Sequence, residues 1–289
     1  MTSPEPTPAL TRANLCAFGN VLGPDVMQQS RALFAALQPS PPETVRLDAD
    51  LACGPDPRHR LDLFTPHDAA PAAGWPVLVF VHGGGFIAGD KTVPGMPFHR
   101  NIGWWAAARG WLAANVTYRL APGTTAPGGA EDVALAIDWI ARNAARLGAN
   151  PNRIVLMGHS AGAAHVAHCV ARGLPAGIPI AHAILASGVI EPTTMPAAPW
   201  MDAYYGDPRA ARHANLPGLA AAAVPLSIIV AEFDPPEFHA QAEAAHAARR
   251  AAGQADAPPL VLPNQNHYST TLHINAEDSA FTRLLASLV

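Results

Sequence analysis

The sequence predicts an α/β fold in which helices cover both faces of a mostly parallel sheet. The continuous apolar run Trp75–Val81 is typical of a strand that is buried on both faces, and the mainly apolar segment Leu226–Phe233 is also predicted to be a strand. Helical stretches such as Glu131–Arg146 separate the predicted strands, and this alternation favours parallel pairing. Polar and glycine-rich motifs follow several strand ends directly, which is where such sheets bind ligands.

Composition and charge indicate a globular chain with a sizeable core. The chain has 289 residues, of which 49% are hydrophobic, and a formal net charge of −4. This length suits one large α/β domain or two small ones. Because the charge is weak and no block of five Lys or Arg residues occurs, we expect no nucleic-acid or membrane partner. The oligomeric state is left open.

The cysteines and the first residues indicate a reduced, cytoplasmic setting. Residues 1–10 have no basic stretch followed by an apolar one, so no signal peptide is predicted. No run of eighteen apolar residues suggests a membrane span. Cys16, Cys53 and Cys169 have neither disulfide nor metal-ligand spacing, and we expect no metal or other cofactor.

Residues 1–42 are predicted to form an N-terminal arm. A proline-rich start leads into Val26–Leu37, whose spacing predicts a helix, and prolines then end that helix and begin a linker. The arm could cap a site, or it could be a surface appendage, and periodicity does not distinguish the two.

The main domain is expected over residues 43–289. It begins with two alternating segments, Glu43–Leu51 and Arg58–Phe64, separated by a Gly-Pro turn, which predicts an antiparallel pair at a sheet edge. The other predicted strands are Trp75–Val81, Trp111–Tyr118, Arg153–Met157, His182–Ile190, Leu226–Phe233 and Leu260–Leu262. The predicted helices are Phe98–Arg109, Glu131–Arg146, Ala161–Ala171, Glu237–Ala252 and Asn275–Leu288.

A long insertion, residues 191–224, separates two predicted strands. It lacks clear periodicity and contains Trp200, Tyr204 and Tyr205 between prolines. Irregular stretches of this length are usually functional. We predict that it forms part of a pocket wall, and the alternative is a surface excursion with its own small cluster.

Ser160 lies where an apolar strand turns at once into an alanine-rich helix. The sequence there is Gly158-His159-Ser160-Ala161-Gly162, and small residues on both sides of the serine allow a sharp turn. Such a turn exposes the serine hydroxyl above the free N–H groups of a helix start, which suits a nucleophile and an oxyanion. A glycine-rich turn with a serine cap is the alternative.

A serine nucleophile needs a base, and the base needs an orienting acid. Asp234 directly follows the strand that ends at Phe233, and His267 follows the last predicted strand, so both belong at the same rim as Ser160. Glu232 is the nearest rival acid. His273 is the nearest rival base, but it falls at or inside the predicted closing helix.

A glycine run follows the central strand as His82-Gly83-Gly84-Gly85. Such a run lets the backbone approach a reacting carbonyl, so the amides of Gly83, Gly84 and Ala161 are predicted to bind the oxyanion. The alternative is a phosphate loop, but neither Gly-X-Gly-X-X-Gly nor Gly-Lys-Ser/Thr occurs here.

Together these motifs resemble the bacterial hormone-sensitive-lipase-like carboxylesterases of the α/β-hydrolase superfamily. The resembling residues are His82–Phe86, Tyr118–Pro122, Gly158–Gly162, Asp234 and His267, which span most of the chain. The resemblance implies an α/β-hydrolase fold and a hydroxyl at Ser160 that attacks an ester carbonyl. It also implies that His267 takes the proton and later activates water, while Asp234 orients the imidazole.

Two departures separate the chain from that group. The group usually has Asp inside the pentapeptide and a further Gly after it, where this chain has His159 and Ala163. This version also resembles arylformamidases and the bifunctional acetyl/feruloyl esterases. The usual Gly shortly before the histidine is replaced by residues 264–266, an Asn-Gln-Asn run. We interpret His159 as structural.

Large apolar side chains near these motifs are candidates for a substrate pocket. By position they are Phe86, Trp104, Trp200, Phe238 and Tyr268. The sequence thus predicts a serine carboxylesterase that cleaves small acyl or aryl esters through an acyl-enzyme. Two alternatives are an arylformamidase and a non-catalytic ligand-binding protein on a hydrolase fold. The latter would usually have lost the nucleophile or the base.

Overall fold

The structure is a computed structural model that describes residues 8–174, 177–276 and 278–288. One sheet of eight strands runs through these residues. The strands are β1 (Val45–Ala52), β2 (Arg60–Pro66), β3 (Trp75–Val81), β4 (Leu112–Val116), β5 (Ala149–His159), β6 (Ile180–Ala186), β7 (Leu226–Phe233) and β8 (Leu260–Asn266). The predicted bounds of β3 and β7 are confirmed.

The sheet is parallel except at one edge, as the sequence predicted. Its strand order is β1-β2-β4-β3-β5-β6-β7-β8. Strand β2 pairs antiparallel with β1 and β4, and every other neighbouring pair is parallel. The carboxyl ends of β3, β5, β6, β7 and β8 therefore meet at one rim, where ligands bind in such sheets.

Helices cover both faces of the sheet. They are α1 (Pro8–Phe18), α2 (Pro24–Ala35), α3 (Arg100–Ala107), α4 (Gly128–Arg142), α5 (Ala144–Leu147), α6 (Ala161–Arg172), α7 (Pro199–Tyr205), α8 (Leu216–Ala221), α9 (Pro236–Ala251), α10 (Ser269–Leu272) and α11 (Ala280–Ala286). Along β3, Val79 packs toward Val166 of α6, whereas Phe80 packs on the opposite face with Ile102 and Phe281. None of these helices is both long and apolar enough to cross a bilayer.

The predicted closing helix Asn275–Leu288 is present but shorter, at Ala280–Ala286. The chain forms the short helix α10 before this segment and starts α11 later. The side chain of Ser279 accepts a hydrogen bond from the Thr282 amide, and Thr282 bonds back to the Ser279 amide. This reciprocal cap fixes the start of α11. His273 consequently lies between the two helices and not inside one.

Strand β6 is shorter than predicted because the backbone turns at Ser187. That residue has φ 45°, which is far from the negative φ of regular extended strand backbone. The expected strand His182–Ile190 therefore ends at Ala186. The turn places Ser187 at the carboxyl rim of the sheet.

The N-terminal arm packs against the main domain, and its first seven residues lie outside the described ones. Leu15 and Phe34 of the arm are fully buried against Phe98 and Leu272. The side chain of Gln38 donates hydrogen bonds to the carbonyls of Leu272 and Ile274, at 2.7 and 3.0 Å. Apolar burial and polar contacts thus hold helices α1 and α2 beside the carboxyl rim.

Candidate active site

Ser160 occupies the turn between β5 and α6 in a conformation that non-glycine residues rarely adopt. Its φ is 54°. A Cβ added at Gly158 would lie 2.5 Å from the carbonyl oxygen of Gly162, and one added at Gly162 would lie 2.2 Å from that of Val81. Glycine is therefore required on both sides of the serine if α6 is to pack this closely on the strands. Strain of this kind is typical of functional turns.

The structure brings Ser160, His267 and Asp234 into one hydrogen-bonded series. His267 Nδ1 lies 2.8 Å from Asp234 Oδ1, and His267 Nε2 lies 2.9 Å from Ser160 Oγ. Because the carboxylate accepts the Nδ1 proton, Nε2 is left to accept the serine proton. Asp234 is fully buried and His267 is buried as well. This geometry permits the hydroxyl to pass its proton to the imidazole as it attacks.

Asp234 is held as a carboxylate by three donors. Besides His267, the amide of Ala231 and the hydroxyl of Ser187 each donate to Asp234 Oδ2 at 2.7 Å. Burial by itself raises the pKa of this carboxyl. The hydrogen bonds and the nearby imidazole outweigh burial, so the pKa of Asp234 is lower than its ordinary value. The acid is therefore ionised at neutral pH.

Ser187 is a site residue that sequence reasoning missed. Its hydroxyl contacts both the acid and Thr270 Oγ1, the latter at 3.0 Å. A signal was present, since Ser187 is the first polar residue after an apolar strand that neighbours the strand of Asp234. The predicted strand, however, continued to Ile190, so this serine was assigned to the strand interior and not to the rim.

The rival acid and base lie in other hydrogen bonds. Glu232 accepts from the amide of Asn264 at 2.7 Å. His273 is fully buried, with Nδ1 2.8 Å from the carbonyl of Ser269 and Nε2 2.9 Å from Ser279 Oγ. Neither is placed in the series that contains Ser160.

The glycine run after β3 lies against Ser160. A Cβ at Gly83 would come within 2.9 Å of Ser160 Cβ, and one at Gly84, whose φ is 132°, within 2.1 Å of the Ala88 carbonyl oxygen. Only glycine fits at these positions. The amides of Gly83, Gly84 and Ala161 donate to no acceptor among the described residues. They are therefore free to donate to a ligand oxygen.

The buried side chain of His82 helps to fix the position of this glycine run. Its ring stacks on Tyr118 with centroids 4.4 Å apart, and its Nδ1 lies 2.7 Å from the Gly83 carbonyl. The Tyr118 hydroxyl donates to the His82 carbonyl at 2.9 Å. Burial lowers the pKa of His82 well below its ordinary value, so the imidazole is neutral. The Tyr118–Pro122 motif thus supports the glycine run.

His159 lies beneath His267 and contacts its backbone. His159 Nε2 donates to the carbonyl of His267 at 2.8 Å, and the two rings are 5.0 Å apart. Burial lowers the pKa of His159 to about 3, so the ring carries no charge at neutral pH. This contact helps to fix the loop that carries His267.

A cavity of about 560 Å³ opens above Ser160 and His267. Of the predicted pocket residues, Trp200, Phe238 and Tyr268 line it. Trp200 belongs to α7, so the insertion 191–224 contributes to the wall. Among the described residues, no cluster of three His, Cys, Asp or Glu side chains is arranged to hold a metal ion.

Two predicted pocket residues do not line this cavity. Phe86 is fully buried with φ 65° and stacks on Tyr204 at 4.6 Å, so it supports the wall from behind. Trp104 lies on α3, where it meets Phe64 edge-on at 6.3 Å. Their positions in the sequence are near the motifs, but the backbone directs both side chains elsewhere.

Solved structures share this architecture over almost the whole chain. Esterase B from Lactobacillus rhamnosis, in a complex with a phosphonate inhibitor, superposes with a TM-score of 0.75 at 20% identity and covers 98% of this chain and 96% of its own. The thermophilic carboxylesterase EstE1, cloned from a metagenomic library, gives 0.70 at 22% identity, with 99% and 97% covered. This chain has the α/β-hydrolase fold. The fold expected from the resemblance is therefore confirmed.

Sequence relatives match parts of this chain. The BD-FAE family model matches residues 61–173. Esterase LipQ of Mycobacterium tuberculosis is 30% identical over 246 residues, which are 76% of this chain and 56% of LipQ. The isoprenylcysteine alpha-carbonyl methylesterase of Arabidopsis thaliana is 32% identical over 155 residues, which are 54% of this chain and 33% of that enzyme. This chain thus spans about a third of the Arabidopsis enzyme and just over half of LipQ.

Proposed function

We propose that the protein is a serine carboxylesterase that hydrolyses small acyl or aryl esters through an acyl-enzyme. The observation that carries this proposal is the continuous series Ser160–His267–Asp234, with bonds of 2.9 and 2.8 Å. The esterases and carboxylesterases among its sequence and structural relatives support the same reaction class.

In the first half-reaction, Ser160 Oγ attacks the ester carbonyl carbon while its proton moves to His267 Nε2. The carbonyl π electrons move to oxygen, and the amides of Gly83, Gly84 and Ala161 donate to the resulting oxyanion. When the tetrahedral intermediate collapses, the bond to the alkoxy oxygen breaks. The imidazolium gives its proton to that oxygen, so an alcohol leaves and an acyl-serine remains.

In the second half-reaction, His267 Nε2 takes a proton from water as the water oxygen attacks the acyl carbon. Collapse of the second intermediate returns the proton to Ser160 Oγ and releases the carboxylic acid. Asp234 stays ionised throughout, because its donors hold the pKa of its carboxyl below the ordinary value. Its negative charge stabilises the imidazolium that forms in each half-reaction.

Hydrolysis of p-nitrophenyl butyrate tests the proposal. We expect Ser160→Ala and His267→Gln each to lower kcat by at least about 10³-fold, because each removes a group that the others need. Ser40→Ala, which changes an exposed serine in the linker, is the matched control and should retain the activity. A wild-type chain without esterase activity above that of Ser160→Ala contradicts the proposal.

Labelling with a fluorophosphonate separates an enzyme from a non-catalytic binding protein. The serine oxygen displaces fluoride from phosphorus, so the chain gains the mass of the phosphonyl group. We expect one adduct on Ser160 in the wild-type chain and none in Ser160→Ala. An unlabelled wild-type chain indicates a binding protein on the same fold.

Arylformamidase activity is the second candidate, because the pentapeptide has His159 where the carboxylesterase group has Asp. Parallel assays with p-nitrophenyl butyrate and N-formylkynurenine distinguish the two. We expect the larger kcat/KM for the ester. A preference for the formamide of more than about tenfold replaces the ester proposal, since that ratio equals about 1.4 kcal/mol of transition-state binding.

A further inference from the structure

Helix α2 of the arm places a cation in the wall of the cavity above Ser160. Leu22, Met27 and Arg31 line this cavity from the arm side. Among the described residues that line it, Arg31 is the one Lys or Arg, and Asp90 is the one carboxylate. The charges of these two residues therefore decide which polar substrates the cavity favours.

Arg31 has no acidic partner among the described residues. It is half-buried, and its side chain takes part in none of their ion pairs or hydrogen bonds. Burial lowers the pKa of its guanidinium, yet arginine stays protonated in proteins. A half-buried guanidinium without a counter-ion gains free energy when an anion supplies one, because part of its hydration is already lost.

Asp90 does not balance the charge of Arg31. It lies 3.2 Å from Arg58 Nη1 and 3.5 Å from Lys91 Nζ, and its side chain is 40% exposed. Two cations already face this carboxylate. The excess positive charge of the cavity is therefore at Arg31.

Arg31 lines the same cavity as the reacting groups Ser160 and His267. Tyr268, the residue after His267, lines this cavity as well. The arm is fixed there because the Tyr268 hydroxyl accepts from the Gly23 amide at 2.9 Å. Arg31 is thus half-buried in the cavity wall, where a bound substrate can reach it.

The rest of the wall is mainly apolar. Met27, Val93, Pro94 and Leu272 line the cavity with the residues named above. A ligand that fits both features has an apolar chain or ring and one negative charge. A single planar guanidinium matches a monoanionic carboxylate, which it can bind through two parallel hydrogen bonds.

We propose that the preferred substrates are esters that carry a free carboxylate, and that Arg31 binds this carboxylate. The inference rests on the proposed ester hydrolysis and specifies its substrate class. Arg31 contacts a part of the substrate that does not react. Its effect is therefore a preference for the anionic member of a pair of esters that are otherwise alike.

Two pairs of esters test the preference. Monomethyl and dimethyl adipate differ by a carboxylate on the acyl side, and 4-carboxyphenyl and phenyl butyrate differ by one on the leaving group. We expect Arg31→Gln to lower the anionic-to-neutral ratio of kcat/KM about tenfold or more in at least one pair, the usual effect of losing a charge-assisted bond. Ratios that stay within twofold of the wild-type values in both pairs overturn the inference.

Two further variants separate charge from packing. Arg31→Lys keeps the charge without the planar fork and should retain part of the preference. Arg250→Gln removes an exposed arginine on α9 and is the matched control, which should keep the wild-type ratios. A ratio lowered equally by Arg250→Gln means that overall charge, and not Arg31, determines the preference, and this also overturns the inference.

Binding without turnover separates this inference from the proposed function. Calorimetry with Ser160→Ala and monomethyl adipate should give a Kd that weakens about tenfold or more when Arg31→Gln is added. If this holds while the wild-type chain cleaves no ester, the carboxylate site stands and the esterase proposal fails. If esters are cleaved but neither the Kd nor the ratios respond to Arg31→Gln, only the carboxylate site fails.

Discussion

The side-chain amide of Asn266 donates a hydrogen bond to Ser30 Oγ at 2.9 Å. Ser30 lies on the arm helix α2 beside Arg31, and Asn266 immediately precedes His267. Both partners are buried, since the exposed fraction is 0% for Ser30 and 2% for Asn266. The bond therefore joins the arm directly to the loop that carries the predicted base.

Removal of this bond is expected to destabilise the fold and to slow the reaction. Ser30→Ala leaves the Asn266 amide buried without that acceptor, which costs about 1–3 kcal/mol of unfolding free energy. Urea unfolding measures this loss, with Ser40→Ala at an exposed serine as the control. We also expect a lower kcat, because the loop before His267 loses a support. An unchanged urea midpoint means that the bond has no structural importance.

Substitution of Ser187 is expected to affect activity through Asp234. Ser187→Ala removes the 2.7 Å bond to Asp234 Oδ2 but leaves the donors from Ala231 and His267. We expect kcat for p-nitrophenyl butyrate to fall roughly tenfold, the equivalent of one hydrogen bond to a charged group, with KM nearly unchanged.

Ser187→Gly separates the hydroxyl from the backbone strain. Glycine adopts φ 45° without penalty, so this variant should unfold at a higher urea concentration than Ser187→Ala. It also lacks the hydroxyl, so its kcat should be as low as that of Ser187→Ala. A glycine variant with wild-type kcat shows that the backbone, and not the hydrogen bond, is what matters at this position.

Asp234→Asn is expected to lower kcat by about 10³–10⁴-fold with little change in KM. An amide side chain can donate to His267 Nδ1 and so favours the tautomer that cannot accept the serine proton at Nε2. The amide also supplies no negative charge to stabilise an imidazolium. Steady-state kinetics with p-nitrophenyl butyrate measures the effect. A loss below tenfold assigns the acid role to another carboxylate, with Glu232 the first to test.

Acid should lower the unfolding free energy in the pH range in which the buried histidines are protonated in the unfolded chain but not in the folded one. Burial lowers the pKa of His159 and His165 to about 3 and that of His99 and His273 to about 4. Between these values and about 6.5, the unfolded chain binds protons that the folded chain does not. Unfolding free energy is thus fully present above about pH 6.5 and falls as the pH decreases.

Urea unfolding at pH 7.5, 6.0 and 5.0 measures this loss. Each such histidine should contribute up to about 1.4 kcal/mol per pH unit inside that range. His165→Leu removes one of these groups. It should lower the slope of unfolding free energy against pH by the equivalent of about one bound proton. His67→Leu, at an exposed imidazole, is the matched control. A midpoint that does not change from pH 7.5 to 5.0 contradicts the prediction.

Local sequence was sufficient to predict the positions that end at the carboxyl rim. Wholly apolar runs identify buried strands, and a polar residue directly after such a run must lie at the strand end. Asp234 was selected in this way, whereas Ser160 was selected from its glycine-flanked turn and His267 from the loop after the last strand. The structure brings the side chains of Ser160 and Asp234 each within hydrogen-bond distance of His267. Chain order and strand ends are properties of short segments, so they can be read without knowledge of the fold.

Side-chain direction in loops could not be predicted in the same way. Phe86 follows the glycine run, but its positive φ directs the ring behind the cavity wall and not into the cavity. Trp104 lies on a helix whose packing against Phe64 moves it away from the rim. One backbone angle or one helix rotation decides such positions, and neither has a clear signal in the sequence.

Apolar periodicity and glycine requirements are local, so the residue pattern was enough to predict a mostly parallel sheet, the order of its motifs and the residues near its strand ends. The packed structure adds that the arm borders the cavity, that Ser187 supports Asp234, and that Arg31 lies in the cavity wall with no acidic partner within the described part of the chain. These contacts join segments that are distant in the chain. Their formation depends on how the packed core orients each segment, which no single segment encodes.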